Sequence, residues 1–491
     1  MHSNKNRPGK TGQSIKWNVI ISALALATLH SSCKSIQPAV VPESLPMPAT
    51  FSQADTAGSI GLLSWRSFYK DEKLIELVEL ALKNNPDIRS GLQRIVRTKA
   101  QAYMARAAGL PTLNLVASAA ADKYGDYTMT GVGNFDTNLS GNIDDDQKVT
   151  DPALDLFLGL RSNWEIDIWG KLRAKRKAAF DQYLASEQTR HWYVTQVVAQ
   201  VAERYYELLA LDKQAAIVTR NIALQEKAVE ISSIQMDGGR ATGLAVKQFQ
   251  AQLLNSRSTA LQIRQRIQAT ENELNVLLGR YPETIERSKA ILAEPLPEQF
   301  SVGVPATILS QRPDIAAAEL NLRAAKADVQ AAKKAFFPSL TLTPYTGFNA
   351  FKGPLLFAPG SFVFGLLGGV STPLFNQRQL RGQFAIANAS QFTAFYDYQK
   401  SVLNAYNEVV TELQHLQNNE TAYQLKAAEV DTLNSAVAAA NDLYIGGYAN
   451  YLEVITAQRS VLEAELEQVN LKKSLLLSTT RLYRALGGGW N

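Results

Sequence analysis

The sequence of 491 residues contains two copies of one unit, and this internal duplication constrains the fold more strongly than any other feature. The Asn-Pro-Asp-Ile segment at 85–88 matches Arg-Pro-Asp-Ile at 312–315. A second register aligns Gly-Gly at 238–239 with Gly-Gly at 446–447 and holds for the rest of each copy. We therefore predict one unit that folds twice, over residues 66–280 and 311–491, with an equatorial linker at 281–310.

A short helix opens each copy. Pro86 and Pro313 lie where proline is tolerated, because the first turn of a helix needs no amide donor. The segments that follow, 87–109 and 314–336, are rich in Ala, Leu, Lys and Arg, and each ends before a proline. This pattern predicts a helix in each segment.

A much longer helix and a return helix complete each copy. Residues 171–237 and 378–443 contain no proline and are dominated by good helix formers. At 1.5 Å per residue they predict helices of roughly 100 Å. Each ends at a Gly-Gly pair, which is a helix stop signal, and a return helix follows at about 244–278 and 452–486. In each copy, the short helix and the return helix together have nearly the length of the long helix. We therefore expect helical hairpins with one continuous arm and one arm in two pieces.

Between the short helix and the long one, the hydrophobic period changes from helical to a two-residue alternation. The even positions of residues 154–168 are mostly Leu, Trp and Ile, whereas the odd positions are mostly polar. We predict two strands per copy, at about 112–119 and 154–168, and at about 339–346 and 361–372. The loop between the first two strands is long and acidic.

Two interpretations of these strands are open. Alternation with few charges on the apolar face is typical of a barrel wall that faces lipid. The alternative is a set of half-buried strands in a soluble sandwich. That alternative would leave two strands per copy to cap very long helices with nothing else to pack on. If the strands form a barrel, four per chain are too few to close it, and three chains would supply twelve.

The first 32 residues predict a secretory signal peptide. Four basic residues lie between positions 5 and 16, an apolar run covers 19–29, and two serines precede Cys33. Cys33 is the only cysteine of the chain, so no internal disulfide can form. Residues 33–65 then form the N-terminal segment of the mature chain.

Composition argues against several classes of function. The formal net charge is +5, but four of the positive charges lie in the leader, so the remaining chain offers no basic footprint for nucleic acid. Only four histidines are present, which argues against a histidine-rich metal cluster. The sequence contains neither a P-loop nor a Gly-x-Ser-x-Gly motif. We therefore expect neither an enzyme nor a bound cofactor.

A set of motifs spans nearly the whole mature chain and resembles the TolC family. The similarity points to the outer-membrane lipoproteins of resistance–nodulation–division (RND) efflux pumps, the OprM, CusC and NodT kind. The motifs are Asn-Pro-Asp-Ile-Arg at 85–89, Trp-Glu-Ile-Asp-Ile-Trp-Gly-Lys at 164–171, Gln-Arg-Pro-Asp-Ile at 311–315, Pro-Ser-Leu at 338–340, Pro-Leu-Phe at 373–375 and Gly-Tyr-Ala-Asn-Tyr-Leu-Glu-Val at 447–454.

The resemblance implies an α+β membrane protein: a trimeric TolC-like α-barrel of long coiled-coil helices, continuous with a 12-stranded transmembrane β-barrel. It implies an outer-membrane exit duct that extends into the periplasm, with a periplasmic adaptor, an inner-membrane RND pump and outer-membrane lipid as partners. Two alternatives share some of these features. One is the duct of a type I protein secretion system, and the other is a purely structural coiled-coil spacer.

The resemblance also implies two kinds of functional residue. By similarity to the lipobox of bacterial lipoproteins, Cys33 is expected to carry lipid, although ordinary cleavage would leave a free thiol. By position, the periplasmic gate is expected near the Gly-Gly turns, with Leu452 as an apolar ring and Glu453 as a single ring of charge, since Thr456 replaces a second carboxylate. The other gate residues implied in this way are Arg240, Leu244 and Tyr448.

Overall fold

The computed structural model describes residues 37–43, 45–51, 59–287, 290–295, 302–373 and 375–490; the signal peptide and Cys33 lie outside these ranges. The described residues form ten α-helices and one four-stranded sheet. The helices are α1 (Trp65–Phe68), α2 (Glu72–Asn84), α3 (Pro86–Ala107), α4 (Met129–Leu139), α5 (Lys171–Asp237), α6 (Gly243–Leu277), α7 (Pro305–Ser310), α8 (Pro313–Lys334), α9 (Gln377–Gly446) and α10 (Tyr451–Ala485). The strands are β1 (Thr112–Asp122), β2 (Ala153–Ile166), β3 (Ser339–Ala350) and β4 (Phe362–Ser371).

The duplication is visible in the lengths of the helices. Both short helices, α3 and α8, have 22 residues and carry proline in the first turn. Both return helices, α6 and α10, have 35 residues. The long helices α5 and α9 have 67 and 70 residues, or about 100 Å each. In the parts of the chain that the structure describes, none of the helices has the length and apolar character of a transmembrane segment.

The two-piece arm of each hairpin is joined end to end by one side chain. Asn85 caps α3 by accepting hydrogen bonds from the amides of Asp87 (2.9 Å) and Ile88 (3.2 Å), and its Nδ2 donates to the carbonyl of Leu277 (2.9 Å) at the end of α6. In the second copy, Arg312 takes the place of Asn85, and its Nη1 donates to the carbonyl of Ala485 (2.8 Å). The repeated contact explains why the short helix follows the return helix as one column.

The main hydrophobic core lies along the middle of α5. Tyr205 and Leu208 of α5 are fully buried against Leu74 and Val78 of α2. The hydroxyl of Tyr205 donates to the carboxylate of Asp71 at 2.7 Å, which satisfies a polar group inside this core. Burial of a large apolar side chain stabilises the fold by roughly 1.5–3 kcal/mol. Val469 and Leu476 of α10 belong to the same core, which therefore joins the two hairpins of the chain at mid-height.

The sheet is antiparallel throughout, in the order β1-β2-β3-β4. Its register aligns Leu115 with Leu160, and Trp164 with Leu342. Because side chains alternate along a strand, this register places the apolar positions of all four strands on one face. The other face is mostly polar.

The strand ends differ from the predicted ones by a few residues. β2 ends at Ile166 rather than 168, because the carboxylate of Asp167 turns away to accept hydrogen bonds from the amides of Leu172 (3.0 Å) and Arg173 (2.8 Å). β1 and β3 are longer than predicted, since pairing continues to Asp122 and Ala350. β4 covers 362–371 rather than 361–372, and the acidic loop after β1 contains the helix α4.

Candidate channel and its predicted gate

The apolar face of the sheet is largely exposed on its two outer strands, β1 and β4, in the protomer. Phe364 is 79% exposed and Leu115 is 74% exposed, although both are large hydrophobic residues. The opposite face carries polar side chains, among them Asn114, Arg161 and Thr341. An apolar surface of this extent marks contact with lipid or with another protein. The outer edges of β1 and β4 form no pairs within the described protomer, which leaves both edges available to other strands.

An aromatic band lies where the sheet meets the helices. Trp169, between β2 and α5, stacks on Phe337, between α8 and β3, with 5.1 Å between the ring centroids. The indole of Trp169 donates to the carbonyl of Pro338 at 2.7 Å, and both rings are exposed. Aromatic girdles at this position are typical of a protein that crosses a membrane interface.

The predicted gate residues lie at the two hairpin tips. Because α5 and α9 both begin at the sheet and run about 100 Å away from it, both tips lie at the end of the helices far from the sheet. Tyr448, Leu452, Glu453 and Thr456 lie together on the second tip, and all four are exposed. The remaining two predicted residues, Arg240 and Leu244, lie on the first tip and are also exposed.

Each tip is built by the same local chemistry. The second glycine of each pair adopts a left-handed conformation, with φ of +71° at Gly239 and +79° at Gly447, which favours glycine. A polar N-cap then starts the return helix: Thr242 accepts a hydrogen bond from the amide of Ala245 at 3.3 Å. In the second copy the N-cap is Asn450. These elements explain the abrupt reversal of the chain.

The N-cap of the second tip also holds the predicted charged residue. The side-chain oxygen of Asn450 accepts from the amides of Leu452 (2.9 Å) and Glu453 (3.2 Å), and its Nδ2 donates to the carboxylate of Glu453 at 3.2 Å. Glu453 therefore has a local structural role as well as a charge near the positive end of the helix dipole. Leu452 has no such partner for its side chain and is 56% exposed.

The two tips are not equivalent in charge. Ala245 occupies the position in α6 that Glu453 occupies in α10, and it is 0% exposed. The sequence predicts that Ala245→Ser would have little effect on the channel and could serve as a control for the gate. Because Ala245 is fully buried, a serine hydroxyl there would need a partner inside the hairpin, which makes this variant a poor control. Leu244 and Leu452 are better matched, at 60% and 56% exposure.

A network of arginines that the sequence analysis did not identify lies at the level of the helix junctions. Arg312 of the Gln-Arg-Pro-Asp-Ile motif pairs with Glu408 of α9 at 3.0 Å and with Asp314 at 2.8 Å. Arg484 of α10 also pairs with Glu408, and burial lowers the pKa of Arg484, with the nearby Arg312 acting in the same direction. Glu408 lies in a helical segment without a motif, so only the fold shows the connection.

The family model for outer membrane efflux proteins matches residues 77–280 and 304–488 of this chain. The chain belongs to the outer membrane efflux protein family. OpmQ, a pyoverdine export outer membrane protein of Pseudomonas putida, is 30% identical over 87% of this chain and 88% of its own length. SilC, a probable outer membrane lipoprotein of Salmonella typhimurium, is 26% identical over 96% of this chain and 99% of its own length.

The solved structures confirm the predicted TolC-like fold. A structure of CusC, described in connection with transmembrane channel formation, matches with a TM-score of 0.79 and 26% identity, over 93% of this chain and 100% of that chain. The long helices and the small sheet of this outer membrane efflux protein are therefore the elements of a known channel architecture. The resemblance that the sequence motifs indicated is confirmed.

Proposed function

We propose that this chain is the outer-membrane exit duct of a tripartite efflux system, a passive channel that works with an inner-membrane RND pump and a periplasmic adaptor. The observation that carries the proposal is a sheet with one exposed apolar face at the end of helical hairpins about 100 Å long. Such a chain can cross a membrane with its strands and extend into the periplasm with its helices. The relatives described above are named for export or as an outer membrane lipoprotein, which favours efflux over type I protein secretion.

The proposed assembly is a homotrimer. The described part of one protomer has four strands and two free edges, and open edges are not viable in lipid. Three protomers give twelve strands, an even number within the range of known barrels. Pairing of β1 with β4 of a neighbour would close the ring and turn the apolar face toward lipid.

The N-terminal segment supports a lipid anchor at Cys33. Phe51 stacks on Tyr406 of α9 at 5.4 Å, and the amide of Ala39 donates to Asn388 of α9 at 3.1 Å. Asn388 lies about 27 Å nearer to the sheet than Tyr406, so the segment runs toward the membrane. The six residues from Ala39 to Cys33 can span up to about 20 Å, and the start of α9 is about 16 Å beyond Asn388. A lipid on Cys33 would therefore reach the bilayer.

Labelling with palmitate tests the anchor. Cys33→Ser should lose the label and still reach the cell envelope, because the signal peptide directs export before any lipid is attached. The wild-type chain labelled in parallel is the control. Label that persists in Cys33→Ser would show that the anchor lies elsewhere.

The proposed gate is the second tip. With threefold symmetry, three copies of Leu452 would form an apolar ring and three copies of Glu453 an acidic ring one residue further along. Tyr448 and Thr456 flank this ring on the same tip, whereas Arg240 and Leu244 belong to the neighbouring tip. Their exposure in the protomer supports a role that does not depend on packing within the hairpin.

Cross-linking and conductance test the proposed duct together. Cysteines at Ala119 in β1 and Leu366 in β4, which both lie on the apolar face of the sheet, should form disulfides between neighbours in outer membranes. The products should stop at three chains because the ring is closed. The same preparation should give discrete current steps in planar bilayers. A monomer with its full β content, or a cross-linked series that extends beyond three chains, would contradict the closed trimer.

A further inference from the structure

A groove between the first turns of α5 and the last turns of α8 concentrates positive charge next to the sheet. Its cavity of about 520 Å³ is lined by Gly170, by five basic side chains and by no acidic one. The basic residues are Arg173, Lys177, Arg323, Lys326 and Lys334, and we call this site the basic groove. On the side of α3, a second depression continues from Arg173 and Lys177 to Arg106, Arg176 and Phe180.

The basic groove has more cations than carboxylates to pair with them. Arg173 pairs with Asp167 at 3.3 Å, and Arg323 pairs with Asp181 at 3.3 Å. Among the described residues, the remaining three cations of the groove have no carboxylate within 4.0 Å. They are Lys177, Lys326 and Lys334. Unpaired cations gathered in one concave site attract an anion, because their fields add.

Gly170 leaves room for an anion at the head of the groove. It has a φ of +77°, and a Cβ at this position would lie 3.1 Å from Nζ of Lys334 and 3.2 Å from Nη2 of Arg173. Nζ of Lys334 donates to the carbonyl of Gly170 at 3.3 Å. The charged groups of Lys334 and Arg173 therefore lie close to the backbone of Gly170, where no side chain separates them from it. The amides of Leu172 and Arg173 already bond to Asp167, so side chains rather than the helix terminus would hold the ligand.

The depth of the groove identifies the kind of anion. Trp169 and Phe337 mark the interface between the sheet and the helices. Arg173 and Lys177 lie within about 10 Å of the start of α5, which begins two residues after Trp169. Lipid headgroups occupy a zone about 5–8 Å thick on each side of the hydrocarbon core. If the sheet spans the membrane, the end of the basic groove nearest the sheet lies at the level of the lipid phosphates. The apolar face of the sheet, which is suited to contact with acyl chains, begins next to it.

We propose that the basic groove binds the phosphate headgroup of an anionic phospholipid in the periplasmic leaflet. Lys177 and Lys334 supply charge-assisted hydrogen bonds to the phosphate oxygens, and Lys326 adds to the positive field of the groove. The acyl chains of the lipid lie against the apolar face of the sheet. This inference rests on the proposed function, which places the sheet in the outer membrane.

Native mass spectrometry of the purified trimer measures this binding with three probes: dioctanoyl phosphatidylglycerol, dioctanoyl phosphatidylcholine and inorganic phosphate. The test variant is Lys177→Gln with Lys326→Gln. The matched control is Lys227→Gln with Lys247→Gln, which removes the same charge far down the hairpin, since Lys227 is about 75 Å from Lys177 along α5. Folding of each variant is checked by its migration as a trimer.

Phosphatidylglycerol should bind the wild type and the control equally, and it should bind the groove variant at least about tenfold more weakly. Phosphatidylcholine should bind much more weakly than phosphatidylglycerol to the wild type. Inorganic phosphate should not displace the lipid. Equal loss in the control would overturn the site, and displacement by phosphate would show a free-anion site instead.

Conductance recorded on the same preparations separates this inference from the duct proposal. A groove variant that alters ion selectivity while keeping its phosphatidylglycerol affinity would show that the groove faces the lumen, which overturns the lipid site. Pores without selective lipid binding would overturn the lipid site alone. Absence of pores with lipid binding retained would count against the duct and support the site.

Discussion

Replacing Leu452 with Ala tests the proposed gate at small structural cost. Leu452 is 56% exposed in the protomer, so less than half of its side chain is buried by the hairpin. The truncation removes three carbon atoms, each worth about 0.8 kcal/mol when fully buried. At this exposure the expected loss of stability is about 1 kcal/mol per protomer. In the proposed trimer, however, the same change would remove three apolar side chains from the proposed constriction.

Single-channel recording in planar bilayers measures the effect on the ring. We expect Leu452→Ala to increase conductance, because an apolar constriction limits ion flow by excluding water. Leu244→Ala is the matched control, since Leu244 is 60% exposed and holds the same place in the first copy. Leu244→Ala should lower the free energy of unfolding by about the same amount as Leu452→Ala. It should increase conductance less than Leu452→Ala does.

Two results would refute this reasoning. Unchanged conductance in Leu452→Ala would place the constriction elsewhere, while leaving the family assignment intact. A fall of several kcal/mol in the free energy of unfolding of Leu452→Ala would show that trimer assembly buries Leu452 as a core residue. That result would contradict a ring of Leu452 side chains that faces the pore axis.

The remaining predictions concern charge, helix junctions and pH. Glu453→Gln should lower cation selectivity more than conductance, since glutamine keeps the oxygen that accepts from Asn450. The effect should fade as salt screens the ring. The same cation selectivity in the variant and the wild type at low salt would contradict the charged ring. Asn85→Ala should lower the free energy of unfolding by about 2–4 kcal/mol, through loss of a helix cap and of the partner of the part-buried carbonyl of Leu277. Asn84→Ala, measured in the same denaturant series, should change it by less than about 0.5 kcal/mol, since the side chain of Asn84 accepts only an exposed hydrogen bond from Arg89. Burial lowers the pKa of His191 below its ordinary 6.5, with Arg190 acting in the same direction. The unfolded chain therefore binds the His191 proton more tightly than the folded chain does. The protein should lose stability as pH falls below about 6.5. His191→Gln should show a smaller fall in Tm over that range, and an identical fall would assign the acid sensitivity to other groups.

The helices could be predicted closely because the signals that define them are local. Pro86 and Pro313 start α3 and α8, and the Gly-Gly pairs end the long helices within a few residues of the predicted positions. Four helices were missed: the short helices α1 and α7, and the longer helices α2 and α4. The two longer ones were missed for different reasons. α2 has an ordinary signal, with Asp71 as its N-cap and apolar residues that face the core. α4 has two glycines within its first five residues and no buried residue, so nothing in its composition predicts a helix.

The features that depend on chain pairing were less accessible to sequence reasoning. Alternation predicted one apolar face for β2, but only the register of the sheet shows that all four strands share that face. The basic groove joins Lys177 of the first copy to Lys326 of the second. No local pattern indicates that these two residues meet. Likewise, the burial of Ala245 follows from packing within the hairpin and not from its neighbours in sequence.

Site-directed labelling of adjacent positions in β1 tests most directly whether the sheet forms the wall of a water-filled duct in a membrane. Asn114 and Leu115 are neighbours that point to opposite faces of the sheet, and Cys33 is the only native cysteine. In membranes, a probe on Leu115→Cys should be quenched by nitroxide-labelled lipid and protected from water-soluble thiol reagents. Asn114→Cys should show the reverse. Equal access of a water-soluble reagent to both positions would contradict the account, because it would place the whole sheet in water.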